Sequence, residues 1–189
     1  MNIKSITLIV FFTISSLLAN AQFEAGLLNT LEAVYPDSNN VKLKNTFTTN
    51  IAKNTAAEVH ILVKSEIGNL ISFSTQSKNI SNVNLSVIEP VPVEQNTGID
   101  SRTEQFLGVL NPHVIRRAPF DVFEIIYPLE ERRIKTKYRY SLIRLTIDPE
   151  NFKSNKDYVI NISISDKLKN LKKLKFKIKV HPVLIPDLI

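Results

Sequence analysis

Apolar and polar residues alternate along much of this chain, most cleanly near its end. Leu174, Phe176, Ile178 and Val180 share one parity, and Lys173, Lys175, Lys177 and Lys179 share the other. A strand turns successive side chains to opposite faces, so the apolar set belongs in a core and the lysines in water. A helix would spread those lysines around its circumference. Residues 140–147 and 158–164 alternate in the same way. The three runs read as consecutive antiparallel strands of a sandwich. Lysine on such a strand also discourages edge-to-edge pairing.

Upstream, strands are expected at residues 41–48, 56–65, 70–74 and 120–127, and around Val83, Leu85 and Val87. Pro36-Asp37-Ser38-Asn39-Asn40 is a turn cluster, and Gly68 in Glu66-Ile67-Gly68-Asn69 is expected to hold a positive φ. Pro90 and Pro92 cannot donate ladder hydrogen bonds, which assigns their piece to an edge or a connection. Phe23, Leu27, Leu28 and Leu31 have the spacing of one or two amphipathic helical turns. Residues 95–114 are the least regular and read as a long loop. Glu130-Glu131-Arg132-Arg133 reads as a surface turn. Tyr158 stands where immunoglobulin-type sandwiches fold a tyrosine hydroxyl back onto upstream backbone; the other reading is a plain core aromatic. The fold class is all-β, an immunoglobulin-like antiparallel β-sandwich following a cleaved signal peptide.

Composition adds the leader. Lys4, an apolar run over residues 6–18 and Ala19-Asn20-Ala21 make a secretory signal peptide. The expected organisation is a signal peptide at residues 1–21, a lead-in at 22–40, a β-sandwich domain at 41–181 and an apolar tail at 182–189. The expected location is exported, periplasmic or secreted, with no stable membrane span after cleavage. There is no cysteine, so no disulfide can staple the fold. The mature length suits one domain that buries roughly 70% of its unfolded surface. Loss of Lys4 lowers the formal charge from +6 to +5, and seven lysines lie between Lys167 and Lys179. Nucleic-acid binding would want arginine and aromatic residues among them, so the run reads as a solvated face.

Candidate chemistry is sparse. His60, His113 and His181 are far apart and lack a second ligand at metal spacing. The adjacent acids Glu130 and Glu131 sit beside two arginines, which oppose the raised pKa a catalytic acid needs. Neither a nucleophile elbow nor a phosphate loop is present. No catalytic residue, metal site or cofactor is therefore assigned. Tyr138 and Tyr140 share parity, as core residues or as a sugar platform. The tail carries Val183, Leu184, Ile185, Leu188 and Ile189. It either folds back on the sandwich or meets another chain.

Leu31-Glu32-Ala33-Val34-Tyr35-Pro36-Asp37-Ser38 resembles the start of the N-terminal β-sandwich domain of glycoside hydrolase family 123 and related proteins. Ala52-Lys53-Asn54-Thr55-Ala56-Ala57-Glu58-Val59 resembles its first core strand, and residues 142–147 followed by 158–164 resemble its final strands. The chain departs at Lys156-Asp157, where the family has a glycine, and has no tryptophan on the preceding strand. Enzymes of that family continue into a barrel whose Asp-Glu pair drives substrate-assisted hydrolysis of N-acetylgalactosaminides. No such residue carries over here, because the chain stops at Ile189, where that barrel would begin. The resemblance implies a non-catalytic accessory domain that packs on a catalytic domain or protein partner, with a glycan as a further candidate ligand. The alternative is a surface or periplasmic interaction module, adhesin-like or chaperone-like, unrelated to sugars.

Overall fold

A computed structural model describes residues 23–95, 108–109, 112, 114–153 and 155–186. The expected signal peptide, His113, most of the irregular 95–114 stretch and the last three tail residues lie outside them. The elements are β1 (Glu24–Leu28), β2 (Thr46–Ala52), β3 (Ala57–Lys64), β4 (Leu70–Gln76), β5 (Asn84–Val93), β6 (Phe120–Pro128), β7 (Arg133–Lys135), β8 (Tyr140–Ile147), β9 (Asp157–Ser165) and β10 (Leu171–His181). Among the described residues a 3-10 turn, Pro149–Asn151, precedes β9. The first sheet has the order β1-β3-β8-β5-β6 and the second β2-β10-β9-β4-β7. The all-β sandwich is as expected.

The parity of β10 holds: Leu174, Phe176, Ile178 and Val180 are buried between the sheets and the alternating lysines are exposed. Their core partners include Ile160, Ile162 and Ile164 from β9 and Ile143, Leu145 and Ile147 from β8. The grouping of the three C-terminal runs differs from the expectation. Only β9 and β10 are antiparallel neighbours, whereas β8 lies in the other sheet between β3 and β5. The chain changes sheets at Asp148-Pro149, because proline ends one ladder and the 3-10 turn reverses direction. Nor is the lysine strand an edge. It lies between β9 and β2, and its pairing with β2 is parallel, so the sandwich is not purely antiparallel. Phe47 of β2 stacks on Phe176 of β10, with ring centroids 6.3 Å apart.

Other expectations are corrected locally. The lead-in is strand β1 rather than helical turns. Phe23, Ala25 and Leu27 alternate into the core, and Leu28 is buried from the opposite face, which hides the period in the sequence. The strand placed at 41–48 begins only at Thr46, while Val41 and Leu43 pack elsewhere. β5 is an interior strand, not an edge or connection. Its β8 partners end at Ile88, and Pro90 and Pro92 lie beyond, still paired with β6 across a bulge. Prolines two apart remove donors from one side of a strand only, leaving Val91 and Val93 to bond β6.

The tyrosine corner is present. The Tyr158 hydroxyl accepts the Lys153 backbone N–H at 2.7 Å, and its ring meets Phe152 edge-on at 5.3 Å. Gly68 has φ +87, and its N–H reaches the Thr136 carbonyl at 2.8 Å. The turn at residues 130–133 does more than cover surface. Arg132 donates to Thr75 Oγ1 and to the Val83 carbonyl, and its own carbonyl accepts the Phe73 N–H. One residue thereby ties β4 of the second sheet to the start of β5 in the first.

Candidate functional site

Three surfaces compete as the working part of the molecule. The first is the outer face of the first sheet. Leu28, Leu62, Ile88, Tyr140 and Leu142 form a second apolar cluster there, and Val34, Val41 and Leu43 cover it. The segment between β1 and β2 is thus a roof. It can lie this close because Gly26 has no side chain: a Cβ there would stand 2.6 Å from Leu43 Cβ. Polar contacts fasten the roof. The Leu27 N–H donates to the Lys44 carbonyl at 2.8 Å. Asp37 pairs with Arg116, whose guanidinium holds that carboxyl below its usual range and lies over the Tyr35 ring at 4.3 Å.

At the margin of this face His60 stands across from Arg144, which pairs with Glu58. Burial, and then the Arg144 charge, hold the His60 imidazole below its ordinary value, with Glu58 opposing. Tyr140 is core. Tyr138 is half-buried and lines a cavity of about 230 Å³ with Phe123, Pro90 and Ile134. The pair Lys137–Glu89, at 3.1 Å, borders it. The two tyrosines therefore share this cavity without presenting an open double platform.

The remaining sequence candidates do not converge. Glu131 is exposed and paired with Arg133 at 2.6 Å, and Glu130 lies in the same exposed turn. His181 ends β10 and bonds Asn50 at 3.0 Å, on the sheet opposite His60. Among the described residues no three His, Asp or Glu side chains are grouped to hold a metal ion. No helix among them is long and apolar enough to cross a membrane.

The second surface is the tail. Its backbone is fixed to the β2–β3 turn. Lys53 N–H donates to the Val183 carbonyl at 3.0 Å. The Asn54 amide grips Ile185 twice, accepting its N–H at 2.9 Å and donating to its carbonyl at 2.7 Å. Yet Val183, Leu184 and Ile185 remain 60%, 63% and 53% exposed as residues. The main chain thus folds back on the sandwich, while these apolar residues stay largely exposed. Asn54 was invisible as a clamp, because nothing local in the sequence links it to a segment so far away. The third surface is the lysine face of β10.

No known family profile matches the sequence, and no curated protein matches it. A solved structure of a family 123 glycoside hydrolase from Clostridium perfringens, described for glycolipid glycan hydrolysis, is similar with a TM-score of 0.61 at 14% identity. The alignment covers 87% of this chain and 28% of that enzyme. This likeness is one of fold. A PapD-like domain of human CEP192 aligns at a TM-score of 0.33 and 10% identity, over 84% of this chain and 99% of that one. The soluble domain of PmoD from a Methylocystis species aligns at 0.21 and 10%, over 86% and 94%. Neither of these two bears on function.

Proposed function

We propose that this protein is an exported, non-catalytic β-sandwich that serves as a packing module for a carbohydrate-active catalytic partner. Its model is the N-terminal accessory domain of family 123 glycoside hydrolases. The observation that carries this reading is the tail. Three consecutive apolar side chains are held outward by a backbone that is itself fixed. An unconstrained tail could bury them by folding over; this one is clamped with its apolar side in water. Exposed apolar surface of that kind disfavours the free state by about 25 cal/mol per Å², and contact with a partner recovers it. The fold likeness to part of a larger glycoside hydrolase supports a carbohydrate-active enzyme as the class of partner in this reading.

Purified protein incubated with chromogenic N-acetylgalactosaminides is expected to release no chromophore, and measurable turnover overturns the non-catalytic reading. A Val183→Ser, Leu184→Ser, Ile185→Ser variant keeps the bonds to Lys53 and Asn54. It is expected to melt like the parent and to be more soluble. A sharp loss of stability would mean that the tail side chains serve this domain alone.

A further inference from the structure

The outer face of the second sheet is mainly polar and basic, with Val159 and Leu171 as exposed apolar members. Lys173, Lys175, Lys177 and Lys179 stand exposed along its second strand. Alternate residues on a strand are about 6.5–7 Å apart, so the row runs about 20 Å. Register places hydroxyl and amide side chains on both sides of it. Thr46, Thr48 and Asn50 flank the row from β2, and Asn161 and Ser163 from β9, with the apolar Val159 between Asn161 and Asp157 beside Lys177. Beyond β9 come Ser74 and Gln76 of β4. The one acid adjoining the row is Asp157, beside Lys179 at its end. Among the described residues none of the four lysines pairs with a carboxylate. An open depression of about 490 Å³ lies at the other end, lined by Asn45, Gln76, Asn161, Ser163, Lys173 and Lys175.

We propose that this face binds an anionic polysaccharide, a sugar chain bearing sulfate or carboxylate groups. Lysine ammonium groups act as point charges that need no fixed ligand geometry, which suits anionic groups on an extended, flexible chain. The flanking hydroxyls and amides both donate and accept, which suits sugar hydroxyls. The face carries no aromatic ring, so it has no stacking platform for nucleobases. It also lacks the broad apolar side with which an amphipathic surface enters a lipid interface. An extended sugar chain can lie along the straight lysine row and seat one end in the depression. This inference is independent of the catalytic-partner reading, which rests on the tail.

The test is calorimetric titration of the full protein with chondroitin sulfate at about 50 and about 200 mM salt. Neutral dextran, a single-stranded oligonucleotide and phosphatidylglycerol vesicles are the comparison probes. Chondroitin sulfate should bind, dextran should not, and affinity should fall steeply with salt because exposed charges are screened. A Lys175→Gln, Lys177→Gln variant should bind at least about tenfold more weakly. A Lys42→Gln, Lys78→Gln variant, with the same net charge but an intact row, should change by less than about twofold. Melting curves confirm that both variants fold. The proposal is overturned if chondroitin sulfate does not bind, if both variants weaken binding equally, or if the oligonucleotide or vesicles bind more tightly than the polysaccharide.

Discussion

The two sheets present the same kind of apolar surface to each other and opposite kinds to the outside. The first sheet carries Leu28, Leu62, Leu142 and Ile88 outward, and the segment leading to β2 covers them. The second sheet carries mostly lysine, threonine, serine and asparagine outward, with Val159 and Leu171 among them, and none of the described segments covers it. Outward parity on a strand is thus not the same as solvent exposure. What stands at the outward positions decides whether another layer is needed. Strands buried on both faces read as near-continuous apolar runs, and Ile61-Leu62-Val63 in β3 and Leu142-Ile143 in β8 do so.

The sharpest way to break the comparison is a charge between the sheets. Ile162→Asp should unfold the domain, because an unpaired buried carboxylate costs several kcal/mol of a typical 5–15 kcal/mol stability. Gly26→Val attacks the roof. Its Cβ would meet Leu43 Cβ at 2.6 Å and Lys44 N at 3.0 Å, so a loss of about 1–3 kcal/mol is expected in urea unfolding. Tyr158→Phe removes the acceptor of the Lys153 N–H and should lower stability by about 1 kcal/mol, read from the same denaturation curves.

A pH series separates the faces again. The folded-state pKa of His60 lies below its unfolded value, so the unfolded chain binds the proton more readily. Stability should be level above the unfolded value of about 6.5 and fall as pH drops below it. His60→Gln should remove that component of the urea midpoint profile. The smallest effect belongs to the bare face: Lys177→Glu should change stability by no more than about 0.5 kcal/mol. A loss as large as that of Ile162→Asp would mean that the strand parity is wrong.

Much of the sandwich was legible because parity is a local signal. The inward set of β10, the positive φ of Gly68 and the Tyr158 corner all follow from neighbours within a few residues. Sheet membership was not legible. Alternation in β8, β9 and β10 says that each has an inner face, but not which strand lies beside it. That choice is made at Asp148-Pro149, where the chain crosses from one sheet to the other. β1 was misread because both of its faces are apolar, so leucines at helical spacing also satisfy a strand. Of the site, the apolar character of the tail was visible and its clamp was not. The Asn54 contact joins segments from opposite ends of the domain. The depression beside Lys173 likewise needs four strands in register before it exists.

The central claim is that the outward tail meets a catalytic partner. A photo-crosslinking amino acid at position 184, compared with the same residue at exposed position 78, tests it in the cells that make the protein. The account predicts an adduct from position 184, and not from 78, whose attached peptides belong to a carbohydrate-active catalytic domain. Equal adducts from both positions, or only internal crosslinks from 184, would contradict it.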